Sequence, residues 1–260
     1  MRIFDTHAHY DDKAFDGDRD ALLSSMQKSN IIEAIVNVGA SMNSSKTTIS
    51  LTEEYPFLYG AIGVHPEEVT NLTERDMEWL REQSRLEKIV AIGEIGLDYY
   101  WDDVPKDIQQ AWFDRQLELA KEVKMPVIIH SREAANDTLA MLTAADAKNK
   151  LSGIIHCYSY SKENAKDYLD MGFYFGIGGV VTFKNAKKIK EAVSYIPIEQ
   201  IVLETDCPYL APMPYRGERN FSENLSYVAQ EIAMIKNLPY EEVLEQTNKN
   251  ARAVYQLQKI

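Results

Sequence analysis

The sequence predicts an α/β fold, a single (β/α)8 TIM barrel over residues 1–260, on three observations. Short apolar runs of β type alternate with longer helical stretches along the chain. Eight such runs occur in 260 residues, the size at which eight βα units close into a barrel. The competing doubly wound sheet often carries a glycine-rich phosphate fingerprint, and this chain has neither G-x-G-x-x-G nor G-x-x-x-x-G-K-S/T. Gly176-Ile177-Gly178-Gly179 comes nearest and lacks the third glycine at the right offset.

In chain order, the expected strands are Arg2–Thr6, Glu33–Val38, Tyr59–Val64, Ile89–Gly93, Pro126–Ile129, Gly153–Ile155, Phe173–Ile177 and Ile201–Glu204. Asp107–Lys124 reads as a helix, because Phe113, Leu117 and Ala120 recur at i, i+4 and i+7 on one face. Asp103 and Pro105 mark its start, and Met125-Pro126 its end. Ser161 is placed to cap the helix that ends near Gly172. Pro239–Gln258 reads as extra helix closing the barrel. No linker or low-complexity tract divides the chain, so no second domain is expected.

Composition narrows the function. Hydrophobic residues make up 45% and charged residues 26%, ordinary globular usage. Forty acidic residues against 28 basic give a formal net charge of −12. That argues against a protein held on nucleic acid by a basic face, though not against one local site. Two cysteines, Cys157 and Cys207, cannot make a disulfide framework, so a reducing, cytoplasmic setting is expected. No apolar run approaches the roughly 20 residues of a membrane span, and no leader is expected.

The five histidines, His7, His9, His65, His130 and His156, each fall at or just past an expected strand end. In a barrel the carboxyl ends of the strands form the active face, so all five converge on one mouth. Glu94 and Asp206 share that placement. His7 and His9 are two apart, so in an extended segment they leave one face about 7 Å apart along the backbone, which suits two imidazoles on one metal. His130 and His156 make a second candidate pair. Glu94 either bridges two metals or is buried against a basic residue from another strand, since an unpaired buried charge is costly. Asp206 can ligate a metal and accept a proton from its bound water. Glu204, one pleat deeper, is either a support for that site or half of a structural salt bridge. His65 is a ligand, a support for one or a phosphate contact. Arg132 is a candidate clamp for a substrate anion.

Other features are weaker. Lys184, Lys187, Lys188 and Lys190 form the one local basic cluster and read first as a solvated helix face. Tyr99, Tyr100 and Trp101 could stack bases or pack a loop down. Both cysteines directly follow a proposed ligand, so strand parity turns their thiols away and makes them packing residues. No G-x-S-x-G elbow occurs.

Six stretches carry a family resemblance: Asp5-Thr-His-Ala-His9, Gly63-Val-His-Pro66, Gly93-Glu-Ile-Gly-Leu-Asp-Tyr99, Ile129-His-Ser-Arg132, His156-Cys-Tyr-Ser159 and Glu204-Thr-Asp-Cys-Pro-Tyr-Leu-Ala-Pro212. In order and spacing they resemble the motifs of the TatD family, metal-dependent hydrolases on amidohydrolase-like barrels with deoxyribonuclease activity in studied members. The resemblance implies two divalent cations per subunit, Mg, Mn, Zn or Fe. It places His7, His9 and Asp206 on the first, Glu94 between them, His130 and His156 on the second, and His65 against substrate phosphate. Two divalent cations outweigh two carboxylates and a bridging hydroxide by about one positive charge, enough to attract one phosphodiester into an acidic protein. The leading expectation is a nuclease acting on short, single-stranded or frayed DNA, with no membrane or obligate protein partner. The alternatives are a small-molecule amidohydrolase or lactonase on the same centre, and a binding module with structural metals.

Overall fold

The computed structural model describes residues 2–146 and 151–257. In it, eight parallel strands follow one another around one sheet in sequence order. They are β1 (Ile3–Ala8), β2 (Ile32–Val38), β3 (Leu58–Ile62), β4 (Ile89–Asp98), β5 (Val127–Arg132), β6 (Gly153–Ile155), β7 (Tyr174–Ile177) and β8 (Ile201–Leu203). The Asp206 N–H donates to His7 O at 2.9 Å and the His9 N–H to Cys207 O at 2.8 Å. These bonds bring the chain after β8 against β1, so the sheet is a nearly closed barrel.

Parallel neighbours need crossovers. Helices α1 (Arg19–Ser29), α2 (Met42–Glu54), α3 (Glu74–Gln83), α4 (Lys106–Val123), α5 (Ala135–Asp146), α6 (Lys162–Asp170) and α7 (Lys187–Tyr195) supply them, and α8 (Leu225–Lys236) and α9 (Tyr240–Val254) follow β8. Their ends have local causes. Ser41, Thr73 and Ser161 accept the otherwise orphaned N–H groups of Ser44, Asp76 and Asn164. Left-handed Asn30, Lys124 and Asn237 close α1, α4 and α8. Phe113 and Leu117 of α4 are buried against the sheet, each contributing about 1.5–3 kcal/mol.

The barrel interior is a separate apolar layer that includes Phe4, Val36, Ile128, Ile154 and Val202. Helix α9 closes its amino-terminal end. Asn248 accepts the Phe4 N–H at 3.0 Å and donates to Arg2 O, while Asn250 donates to Ile198 O and Ile201 O. Tyr255 reaches into the interior and donates its hydroxyl proton to Thr6 O at 2.7 Å. The extra closing helix is therefore present, as Tyr240–Val254; Gln258 lies outside the described residues. Among the described residues no helix is long and apolar enough to cross a membrane.

The strands differ from expectation mainly at their carboxyl ends. β4 runs to Asp98 rather than stopping at Gly93, and β5 runs to Arg132 rather than Ile129. The reason is close approach. A Cβ on Gly96 would lie 1.9 Å from His130 O, so this glycine lets β4 and β5 continue side by side.

Candidate metal centre

The barrel mouth opens into a cavity of about 740 Å³, and His9, His65, Glu94, His130, His156 and Asp206 line it. His7 sits beneath, 1% exposed. Inward parity places these groups. Ile128 and Ile154 belong to the interior layer, so His130 and His156, two residues further on, also point inward.

Glu94 is the hub, and it is 4% exposed. Its Oε2 lies 3.5 Å from His7 Nε2 and 3.8 Å from His9 Nε2. Its Oε1 lies 2.7 Å from His130 Nδ1 and 3.7 Å from His156 Nε2. One carboxylate thus presents a different oxygen to each of two imidazole pairs. No Lys or Arg pairs with it among the described residues, so the basic-residue alternative fails. Asp206 Oδ1 lies 3.4 Å from His9 Nε2, 3.8 Å from His156 Nε2 and 3.9 Å from His7 Nε2.

The imidazoles are oriented from behind. His9 Nδ1 bonds to Val38 O at 2.8 Å, leaving its Nε2 lone pair for the centre. His130 Nε2 bonds to Asp98 Oδ2 at 2.9 Å, which turns Nδ1 toward Glu94. His156 Nδ1 lies 3.1 Å from Glu204 Oε1, and that oxygen also accepts the Cys157 N–H at 2.6 Å. A Cβ on Gly176 would fall 1.9 Å from Glu204 Oε2, so the glycine makes room for this buried acid. Glu204 supports His156, and no salt bridge to Lys or Arg forms among the described residues.

The electrostatics show a site short of positive charge. Burial works against charge on His9, yet Asp206 and Glu94 push its pKa up to about 9. Burial likewise opposes charge on His130 and His156, but Asp98 and Glu94 raise the first to about 9, and Glu204 and Glu94 the second to about 10. Burial and the charge of His156 hold His7 down. Burial would raise Glu94 and Asp206, but the surrounding histidines keep both below the usual carboxylate range. His7 Nε2 and His9 Nε2 lie only 3.0 Å apart. Clustered nitrogens among ionised carboxylates fit divalent cations of the Mg, Mn, Zn and Fe class. The groups Glu94, His130, His156 and His7, His9, Glu94 each bring three donor atoms within 4.8 Å of one another.

His65 stands at the edge. Its Nδ1 accepts the Glu67 N–H at 3.3 Å, which leaves Nε2–H as a donor 3.9 Å from Glu94 Oε1. Burial and the charge of His130 push its pKa down to about 3, so it is a neutral donor. Arg132 is exposed on the rim, its guanidinium 3.8 Å over the Tyr100 ring.

Two groups outside the expected set also matter. Asp98 holds His130; its signal was its place four residues after Glu94, on the same strand face. Asp5 accepts from the N–H groups of His7 and Thr205 and the hydroxyls of Thr205 and Ser222; burial raises its pKa to about 6. One expectation is corrected. Cys207 is buried packing, but Cys157 lines the cavity. Its φ of +44° breaks strand alternation, so the parity argument does not hold there. In the lysine cluster, Lys190 is paired with Glu231 at 2.5 Å, while Lys184, Lys187 and Lys188 are exposed.

A profile of the TatD-related DNases matches residues 4–256. The chain is 44% identical over 255 residues to YabD of Bacillus subtilis, described as an uncharacterised metal-dependent hydrolase, covering 98% of this chain and 99% of that one. It is 37% identical over 195 residues to YcfH of Escherichia coli, described in the same words, covering 75% and 72%. The crystal structure of YjjV, a TatD homologue from Escherichia coli, superposes with a TM-score of 0.91 at 29% identity, covering 99% of each chain.

Proposed function

The chain belongs to the family of TatD-related DNases and is a metal-dependent hydrolase; from that premise we propose that it cleaves phosphodiester bonds as an exonuclease on single-stranded or frayed DNA ends. The observation that carries this is Glu94, whose two oxygens face two separate histidine pairs. In this reading His7, His9 and Asp206 hold one divalent cation, His130 and His156 a second, and Glu94 lies between them. Divalent cations held there would lower the pKa of water and offset charge on phosphoryl oxygens.

The protein's own groups do the rest. Asp206 stays ionised beside His9 and His156 and takes the proton from the attacking water. Val38 O and Asp98 hold two imidazoles by hydrogen bonds and Glu204 stands 3.1 Å from a third, so the centre needs little rearrangement during reaction. His65 donates its Nε2–H to a phosphate oxygen. Arg132 holds a neighbouring phosphate. The free thiols Cys157 and Cys207 fit a cytoplasmic setting.

The test strips the protein with a chelator, returns Mg, Mn, Zn and Fe singly, and supplies single-stranded oligonucleotides beside lactones and amides. Release of nucleotides from DNA in a cation-dependent way is the expected result. Faster turnover of a lactone or an amide overturns it.

A further inference from the structure

The cavity wall is electrically lopsided. Asp11 and Asp12 follow β1, and Glu67 and Glu68 follow β3; all four line the cavity. Arg132, at the end of β5, is the one Lys or Arg lining it among the described residues. In an eight-strand barrel β5 lies opposite β1, so Asp11 and Asp12 face the lone cation across the mouth, while Glu67 lies near enough to Arg132 to feel its charge. A polyanion is repelled at the end of β1 and attracted at Arg132, although Asp102 and Asp103 of the neighbouring loop are also exposed.

On the admitting side, the loop after β4 carries two large aromatic residues with half their surface in solvent. Tyr100 is 53% and Trp101 47% exposed, and their rings meet edge to face at 4.7 Å. Single exposed aromatics are ordinary on this surface, Tyr195 and Tyr209 among them, but two adjoining rings make a contiguous patch of the kind that marks a contact site. The loop beneath them is anchored. Tyr99 turns inward and donates its hydroxyl proton to Asp137 at 2.8 Å. The Tyr100 N–H donates to Asp98 Oδ1 at 2.9 Å, and the other oxygen of that carboxylate holds His130. The Arg132 guanidinium covers one face of Tyr100 at 3.8 Å and lies 5.8 Å from Trp101. Tyr100 and His130 are therefore tied to each other through Asp98, and Arg132 lies over the Tyr100 ring.

The geometry points to Tyr100 and Trp101 as a stacking platform for the bases next to the scissile phosphate, with Arg132 on the intervening phosphate. This rests on the nuclease reading and adds the path of the strand: it enters over the β4–β5 rim and stays off the acidic end of β1. Stacking on aromatic faces is sequence-tolerant, so the platform selects single-stranded ends without selecting sequence. It acts by binding, so its loss appears in KM rather than kcat.

The experiment uses the cation-loaded enzyme and two oligonucleotides, one with normal bases and one with abasic nucleotides beside the cleaved end. The wild type should favour the base-bearing strand by roughly 5- to 150-fold in kcat/KM, the range for one stacked base. The double variant Tyr100→Ala and Trp101→Ala should lose that preference through KM and keep its activity on the abasic strand. Tyr100→Phe with Trp101→Phe should restore it, which separates stacking from loop collapse. A wild type that degrades DNA, with the preference unchanged in the alanine variant, overturns the platform alone. A wild type inert on every oligonucleotide overturns the platform and the nuclease reading together.

Discussion

Asp98 accepts a hydrogen bond from His130 Nε2 at 2.9 Å, which fixes the ring with Nδ1 facing Glu94. The carboxylate is 1% exposed, and the hydrogen bond from His130 holds its pKa down against burial. Asp98→Ala should weaken binding of the cation proposed for His130 and His156 by about 10- to 100-fold, the usual cost of losing such a support. Isothermal titration with Mn²⁺ reads this directly, as a weakened second step with the first intact. Two unchanged steps would show that His130 needs no orienting partner.

Glu94 should tolerate least. Glu94→Ala leaves both histidine pairs without their shared carboxylate, and His7→Ala removes a buried nitrogen from the first pair. Each should lower kcat by on the order of a hundredfold or more. Circular dichroism confirms that the fold survives. Hydrolysis that persists in either folded variant places the chemistry elsewhere.

Acidity should govern loading. His9, His130 and His156, raised to about 9, 9 and 10, bind protons more tightly folded than unfolded. Their contribution to the cation-free fold is full below about 6.5, the unfolded value, and is lost as pH rises through 9 to 10. Cations displace those protons. The melting-temperature gap between loaded and stripped protein should therefore widen from pH 6.5 to 9, by calorimetry. Mixing Mn²⁺ with stripped protein in weak buffer should acidify the solution. A flat gap with no proton release contradicts the charge balance described for the centre.

The barrel floor gives a stability test away from the chemistry. Tyr255→Phe removes the 2.7 Å bond to Thr6 O, worth about 1 kcal/mol, and should lower the melting temperature by about 2–4 °C with hydrolysis retained. Tyr255→Ala opens the interior beside Phe4 and should cost about 3–5 kcal/mol. Equal melting temperatures for wild type and Tyr255→Ala would mean that α9 does not plug the barrel.

The eight strands were legible because each is an apolar run bounded by breakers, and Gly153–Ile155 has the expected limits. The histidines were legible because the barrel sends every strand's carboxyl end to one rim. What sequence concealed was contact between strands. Gly93 looks like a terminator from its own strand, yet β4 continues to Asp98 because Gly96 yields space to His130 O. For the same reason Asp98 read only as part of a motif, since its partner lies 32 positions away. Cys157 was misplaced because alternation assumes extended backbone, and its positive φ departs from it.

The Asp206 N–H to His7 O bond has a consequence in time. Ribosomes release a chain from its amino terminus, and His7 and Asp206, donors proposed for one ion, stand 199 positions apart. A half-made chain offers His7, His9 and Glu94 but not Asp206. The full donor set can therefore form only once β8 has emerged and docked, and α8 and α9 come later still.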